Sequence, residues 1–366
     1  PDVVANAGLE AMKNGTEAAV LPRLEEAARA YPGHPRLWQV LALVYRALDR
    51  MEPALGAFRR ASSLAPADAK IAHGLAQAAL EAGVPATRLF DRTLRLDPSK
   101  GDALLGRAAA LLAEGGPEAA IPDVEAALAA HPGWLPGHAL LARLYWLTGD
   151  REGFVKGYER VLATHPRDIR IWRELIGTLL HADQFGIALD AIDRGRAAVG
   201  SHPLFDINEA ICLDELGRVE DADRLFSRLP VDHILVAVRH VRHLLRSGRA
   251  DEAAAMAERW TAEPQGELIW PYVSLAWRLT GDPRWEWLEG DSRLVRIFDI
   301  EELQPQLGRL AERLRSLHKT SHQPLEQSVR GGSQTDGPLF RRIEPEIQAL
   351  RAVVVRTVQR YIAELP

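Results

Sequence analysis

Residues 35–68 read PRLWQVLALVYRALDRMEPALGAFRRASSLAPAD. The stretch is 34 residues long, and a proline returns at nearly the same interval along the chain. These prolines are Pro32, Pro66, Pro98, Pro132, Pro166 and Pro203. Their spacings are 34, 32, 34, 34 and 37 residues. Self-similarity at such a period predicts stacked helix hairpins, each of which buries its apolar face only against its neighbours.

Large and small side chains occupy set places within residues 35–68. The first helix is expected to carry Trp38, Leu41, Ala42 and Tyr45, and the second Ala54, Phe58, Ala61 and Pro66. Small residues let two helices approach, and large ones fill the groove between them. The pattern resembles the tetratricopeptide repeat (TPR), with weaker copies before and after it. We therefore predict an all-α fold, a right-handed α-solenoid of TPR hairpins with a small, mostly helical C-terminal extension.

The repeat loosens along the chain, and this suggests three segments. Residues 1–203 are predicted to be TPR repeats, 204–290 degenerate helical hairpins, and 291–366 a different, incomplete domain. Residues 294–300 are β-branched and roughly alternating, so a strand is expected there. Helices are expected over 301–317 and from Pro345 onward. Both ends of the chain resemble cuts in a longer protein.

Composition narrows the classes of function. A net charge of −5 and an isoelectric point near 6.2 argue against a general nucleic-acid binder. No apolar run approaches the roughly 20 residues that span a bilayer, and no secretion signal is recognisable, so a cytoplasmic protein without membrane contact is expected.

The single cysteine, Cys212, lies in a helical pattern and is expected to be buried and inert. Five of the nine tryptophans lie between Trp260 and Trp287, which predicts a hydrophobic joint more than an aromatic ligand box.

The chain from about residue 290 carries a second motif. Its residues are Leu317-His318, His322, Pro324-Leu325, Gln327-Ser328, Arg330-Gly331-Gly332 and Gln334-Thr335, followed by Leu339-Phe340, Pro345-Glu346-Ile347 and Tyr361-Ile362. This segment resembles the lead-in to the catalytic barrel of a bacterial family of 2-oxoglutarate/Fe(II)-dependent oxygenases that carry N-terminal TPR arrays.

The resemblance implies chemistry that these 366 residues do not contain. Such oxygenases hold Fe(II) with two histidines and a carboxylate on a β-barrel. The resemblance places that triad downstream of Pro366, so no catalytic residue, metal or cofactor is expected in this chain. Fe(II) and 2-oxoglutarate are expected only for a full-length parent, which would be a dioxygenase. His181-Ala182-Asp183 matches the His-x-Asp pattern of such a triad but falls at a helix turn. His240 and His243 lack an assignable third ligand.

Two sets of residues are candidates for binding. By resemblance to TPR domains, the positions that point into the groove are Arg36, Gln39, Arg46, Arg143, Trp146, Arg170 and Arg173. An arginine-lined groove suits an acidic peptide or a protein segment, through charge-assisted hydrogen bonds. Solvated arginines are the plainer interpretation. A second stripe, Arg239, Arg242, Arg246 and Arg249, is expected to face solvent. Arg330-Gly331-Gly332 could form a backbone anion nest or a tight turn.

Two functional hypotheses follow. In the first, the chain is a TPR scaffold that binds a protein or peptide and delivers it to a C-terminal oxygenase. In the second, the chain is complete, and its Arg-Gly-Gly segment binds a small anion or completes an enzyme in trans. The second hypothesis places the contacts at Gln327, Arg330, Gln334 and Thr335.

Overall fold

A computed structural model describes residues 1–320, 322–325, 327 and 329–365 of the chain. Across these residues the regular secondary structure is helical, with no strand. The α-helices are α1 (Asp2–Asn14), α2 (Glu17–Ala30), α3 (Pro35–Ala47), α4 (Met51–Leu64), α5 (Ala69–Glu81), α6 (Thr87–Leu96), α7 (Gly101–Gly115), α8 (Pro117–Ala130), α9 (Leu135–Thr148), α10 (Lys156–Leu162), α11 (Ile169–His181), α12 (Phe185–Val199), α13 (Pro203–Glu215), α14 (Val219–Phe226), α15 (Ile234–Arg246), α16 (Ala250–Ala257), α17 (Trp270–Thr280), α18 (Leu307–Leu317) and α19 (Pro345–Ala363).

The chain divides into two compact units. Unit 1 comprises Pro1–Phe154 together with Ile300–Thr357, and unit 2 comprises Val155–Asp299 together with the residues from Val358 onward. In each unit, consecutive helices pack as antiparallel pairs, and alternate helices such as α3 and α5 or α11 and α13 also touch. This arrangement is the stack of hairpins that the 34-residue period predicts. The segment boundaries at residues 203 and 290 stay predictions from sequence.

A hydrogen bond from a tryptophan recurs at two of the prolines that follow the 34-residue period. Trp38 Nε1 donates to the carbonyl oxygen of Pro32 at 3.0 Å, and Trp172 Nε1 donates to that of Pro166 at 2.8 Å. Both tryptophans lie six residues after their proline, in the first helix of the next hairpin. Each bond therefore joins the loop that ends one hairpin to the first helix of the next.

Small residues let successive helices approach closely in unit 1. A Cβ atom at Gly74 of α5 would lie 2.5 Å from the ring of Phe58 in α4, and one at Gly106 of α7 would lie 2.3 Å from the ring of Phe90 in α6. Phe58 and Phe90 are both buried. A larger residue at either glycine would push the second helix of one hairpin away from the first helix of the next.

Unit 2 has its own core, in which the tryptophans take part. Trp277 is buried, and Trp260, Trp270 and Trp285 pack around it with the apolar face of α15. Trp287 is exposed over 73% of its surface. Four of the five clustered tryptophans thus form a hydrophobic joint, as expected. Cys212 is also buried, and its burial, with smaller contributions from Glu209 and Glu215, raises the pKa of its thiol to about 12.

The strand predicted over residues 294–300 is wrong. A 3₁₀ turn covers Ser292–Leu294, and the backbone then continues without regular structure until the 3₁₀ helix Glu301–Gln306. A strand needs a neighbour to pair with, and none lies among the residues that the structure describes. The segment is anchored by side chains instead, because Tyr361 Oη donates to the carbonyl oxygen of Leu294 at 2.5 Å. The expected helix over 301–317 is α-helical only from Leu307.

Candidate peptide-binding surface

An extended part of the chain lies against unit 1. We call it the covering segment, meaning the described residues between 317 and 344. It reaches the residues that follow α3, α5, α7 and α9, namely Asp49, Ala82, Gly116 and Gly149. The Ile343 amide, for example, donates to the carbonyl oxygen of Ala82 at 3.1 Å. The C-terminal ends of helices carry partial negative charge, so a segment that brings Lys319, Arg341 and Arg342 to them is electrostatically favoured.

Arg143 and Trp146, two predicted groove residues on α9, both bind this segment. The Arg143 guanidinium donates to Oδ1 of Asp336 at 2.6 Å, and Trp146 Nε1 donates to the carbonyl oxygen of Gln323 at 3.0 Å. Trp146 is 4% exposed, and the Arg151 guanidinium lies 3.5 Å from its ring centroid. One repeat therefore holds an extended segment by a carboxylate and by a main-chain carbonyl, the two groups that peptide recognition commonly uses.

Arg46 is connected to the covering segment indirectly, through the carboxylate of Glu81. Its Nε donates to Oε2 of Glu81 at 2.7 Å and its Nη2 to Oε1 at 2.5 Å, a bidentate pair. Gln77 Nε2 donates to Oε1 at 3.0 Å, and Nη1 of Arg341 donates to Oε2 at 2.9 Å. Arg341 Nε also donates to Oδ1 of Asp49 at 2.8 Å. Asp49 and Glu81 thus both accept hydrogen bonds from Arg341 of the covering segment.

Opposing effects act on the Glu81 carboxyl. Its side chain is 10% exposed, and burial alone would raise its pKa. Hydrogen bonds from Arg46 and Gln77, with attraction to Arg46 and Arg341, outweigh burial and hold the pKa below the ordinary 4.5. The hydrogen bond to Glu81 likewise raises the pKa of Arg46. Both groups stay charged at neutral pH, so the contact with Arg341 is an ion pair.

The other predicted groove residues lie elsewhere. Arg36 donates to Asp2 at 3.1 Å and to Asn6 at 2.5 Å, which ties α3 to α1, and Gln39 is half-buried on α3. Arg170 and Arg173 belong to unit 2, where both are exposed on α11, and Arg170 pairs with Asp168. The structure thus joins only Arg46, Arg143 and Trp146 of the predicted set to the covering segment.

The Arg-Gly-Gly motif forms a loop within the covering segment. Arg330 Nη1 donates to the carbonyl oxygens of Gln327 at 2.7 Å and Val329 at 3.2 Å, and the Gly331 amide donates to Oε1 of Gln323 at 2.9 Å. Gly331 has φ +66°, as the tight-turn interpretation requires. Gln327 and Arg330 are exposed, Gln334 and Thr335 half-buried, and Ser328 of the motif lies outside the described residues.

The histidines considered as metal ligands have other contacts. His243 is fully buried, with Nδ1 2.8 Å from Oδ1 of Asp214 and Nε2 3.3 Å from Oδ1 of Asp223. Its ring stacks on Phe226 at 4.9 Å between centroids. Within the described ranges, no cluster of three or more His, Cys, Asp or Glu side chains is suitable for a metal ion. The same ranges contain no helix that is both long and apolar enough to cross a bilayer.

Three arginines of the predicted stripe, two on α15 and one just before α16, pair with carboxylates. Arg242 pairs with Glu215 at 3.0 Å, Arg246 with Glu215 at 2.7 Å, and Arg249 with Asp223 at 2.6 Å. With side-chain exposures of 33%, 42% and 37%, the three arginines remain partly open to solvent while pairing with carboxylates. They bind acidic side chains of α13 and α14 and so hold successive hairpins of unit 2 together.

Residues that sequence reasoning missed include Asp49, Glu81, Asp336 and Arg341. Asp49 occupies a turn with φ +56°, a position where aspartate is common for backbone reasons alone. Glu81 did carry a signal, because it ends α5, whose other residues are mostly apolar and largely buried. A carboxylate at that place needs a partner. Nothing in the sequence identifies Arg341 as that partner.

Comparisons with known proteins found similar chains only among solved structures, at low identity. No protein-family model matches the chain, and no curated protein is similar to it. Among solved structures, yeast Tom70 is 14% identical, with a match that covers 76% of this chain and 63% of that one at a TM-score of 0.45. A tetratricopeptide repeat protein from Parabacteroides merdae is 15% identical over 75% and 98% of the two chains, at a TM-score of 0.40. The fold follows from the helix order and packing of this chain itself, which is an all-α stack of TPR-like hairpins in each unit.

The likeness concerns the fold alone. MamA, for example, is 17% identical and is covered over 96% of its length, but the match spans 44% of this chain at a TM-score of 0.38. These three structures give no support to the oxygenase resemblance of the C-terminal part, which stays a prediction from sequence.

Proposed function

We propose that the chain is a protein-binding scaffold whose unit 1 holds an extended polypeptide segment at α9. The observation that supports this is the contact of Arg143 and Trp146 with Asp336 and the main chain at Gln323. A carboxylate and a backbone carbonyl are features that any acidic peptide can offer. The surface therefore suits a partner with an acidic residue in an extended stretch.

The charge of the contact supports an acidic partner. Arg143 uses one Nη2 hydrogen bond for Asp336, and a guanidinium has five donors, so the same side chain can hold a carboxylate in bidentate fashion. Trp146 adds a hydrogen bond that is independent of the peptide sequence. Arg143 would bind an acidic side chain of the partner, and Trp146 would bind the main chain close to it.

The covering segment would compete with such a partner. Because it belongs to the same chain, its effective concentration at α9 is in the millimolar range. A partner peptide must displace it or bind when it has released. Weakening the Asp336 contact should therefore strengthen binding in trans.

A fluorescent peptide with the sequence of residues 322–338 tests the proposal. Its affinity for the full chain, measured by anisotropy, should rise in Asp336→Asn and should fall roughly tenfold in Asp336→Asn combined with Arg143→Gln. Arg173→Gln on the same background is the matched control, since Arg173 is exposed on a helix of unit 2. A scrambled peptide that binds equally well, or an Arg143→Gln effect no larger than that of Arg173→Gln, would overturn the proposal.

We propose no covalent chemistry for these residues. The link to 2-oxoglutarate/Fe(II)-dependent oxygenases rests on the resemblance of the C-terminal segment alone. Fe(II) and 2-oxoglutarate added to the chain should give no succinate, and measurable turnover would contradict this view.

A further inference from the structure

Unit 1 contains a cavity between α7, α9 and the covering segment. Its volume is about 70 Å³, and it adjoins a more open space of about 530 Å³. A space of about 15 Å³ holds one water molecule, so the inner cavity has room for a small molecule as large as roughly five waters. Its wall includes the apolar side chains of Leu112, Leu147, Leu317 and Pro324. Such a wall accommodates hydrocarbon.

The polar part of the wall is mainly cationic. Arg143, Lys319 and Arg342 line the cavity against a single carboxylate, that of Asp336. Lys319 and Arg342 also line the adjoining space, where the other charged residues are Arg313, Glu114 and Glu344. Arg143 is paired with Asp336 and Arg342 with Glu344, and Lys319 forms no ion pair with a described residue. Lys319 is an exposed residue, and of these three cations it is the one available to pair with an added anion.

Hydrogen-bond donors remain at the site after these pairs form. Arg342 uses its Nε and Nη2 for Glu344, Arg143 uses its Nη2 for Asp336, and a guanidinium has five N–H groups. The amide of Gln334 and the hydroxyl of Thr320 add two polar groups to the wall. An anion placed here would meet several charge-assisted donors at once.

We propose that this cavity binds a small organic anion, a carboxylate on a short hydrocarbon chain. The carboxylate lies between Lys319, Arg143 and Arg342, and the hydrocarbon lies against Leu112, Leu147 and Leu317. Arg143 and the covering segment belong to both this cavity and the proposed peptide site, so a peptide that displaces the segment would also open the cavity. It differs from the Arg-Gly-Gly motif, since Arg330 does not line the cavity.

Ligand-observed NMR titration of the full chain with butyrate tests the assignment. We expect a dissociation constant of roughly 1 mM, the scale that six heavy atoms allow. Butyramide, its neutral counterpart, should bind at least tenfold more weakly because it lacks the charge. Inorganic phosphate should also bind more weakly, because it lacks the hydrocarbon. Equal binding of butyrate and butyramide, or of butyrate and phosphate, would overturn the proposal.

Two variants locate the site. Lys319→Gln should weaken butyrate binding five- to tenfold, while Lys70→Gln, which removes another exposed lysine of unit 1, should leave it unchanged. Ala113→Leu should abolish binding by filling the wall that both spaces share, although all three cations remain. Equal effects of the two lysine variants, or full binding by Ala113→Leu, would show that butyrate binds elsewhere and would overturn the proposal.

Discussion

Arg341 Nη1 lies 2.9 Å from Oε2 of Glu81, a residue 260 positions earlier in the chain. The same guanidinium reaches Asp49, so one side chain closes a contact between the covering segment and the ends of α3 and α5. This contact is one of several that hold the segment on unit 1, with those of Arg143, Trp146 and Ile343. It also links a predicted groove residue, Arg46, to the segment through the shared Glu81 carboxylate.

Replacement of Arg341 by alanine should loosen the covering segment. Arg341 is 31% exposed, so the loss is expected to be about 1 kcal/mol, between the values for exposed and buried pairs. Hydrogen exchange of the Ile343 amide, which donates to Ala82, should speed up accordingly. Arg356→Ala, which breaks an exposed pair with Glu302, is the control and should change little. Equal exchange at Ile343 in both variants would contradict this role of Arg341.

The Glu81 carboxylate should make the stability of unit 1 depend on pH. Its pKa is lower in the folded chain than the ordinary 4.5, so its contribution is full above about pH 4.5 and is lost as pH falls through the folded value. Glu81→Gln should destabilise α5 by roughly 2 kcal/mol at pH 7, because two guanidinium groups lose their partner. Below pH 4.5 the difference from the unmodified chain should shrink.

Hydrogen exchange of the α5 amides, corrected for the intrinsic effect of pH, measures this dependence. Glu10→Gln is a matched control, because Glu10 forms an exposed pair with Lys13 and should matter little at any pH. A Glu81→Gln difference that stayed constant from pH 7 to pH 3 would exclude ionisation of Glu81 as its cause.

In unit 2, His243 should be among the most costly residues to remove. It is fully buried between Asp214 and Asp223 and stacks on Phe226, so His243→Ala would leave a cavity and remove one partner of the Asp214 carboxylate, which keeps Arg246 at 3.1 Å. We expect a loss of about 3 kcal/mol in the free energy of unfolding, from the cavity and the lost hydrogen bonds together. Urea unfolding of His243→Ala and of His181→Ala, whose histidine is exposed in the same unit, makes the comparison. Equal midpoints would show that the buried contact is not stabilising.

The repeats were predictable because their signal is local. Trp38 and Pro32 stand six residues apart, and their hydrogen bond repeats with Trp172 and Pro166, so the period in the sequence reflects a contact in the fold. Gly74 and Gly106 likewise contact residues of the helix just before their own, Phe58 and Phe90.

The covering segment was not predictable in this way. Arg341 and Asp49 are 292 positions apart, and neither lies in a pattern that names the other. The strand over 294–300 failed for a related reason. The alternating pattern of residues 294–300 favours an extended backbone. A β-strand also needs a second strand to pair with, and the sequence does not show one. Arg143 and Trp146 were identified from repeat positions, whereas the segment they hold was not.

Gly83 offers a direct test of how closely the covering segment packs. It has φ +74°, and a Cβ atom there would lie 2.5 Å from Cζ of Arg342. Gly83→Ala should therefore cost about 1 kcal/mol for the left-handed backbone and should also displace the Arg342 guanidinium. Gly15→Ala is the matched control, since Gly15 has φ +68° and open space around the same position. Both variants should lose similar stability in the helices they follow, but only Gly83→Ala should speed hydrogen exchange at Ile343. If Gly15→Ala had the same effect at Ile343, the segment would be responding to general destabilisation of unit 1, and close packing of Arg342 on the α5 end would be excluded as the cause.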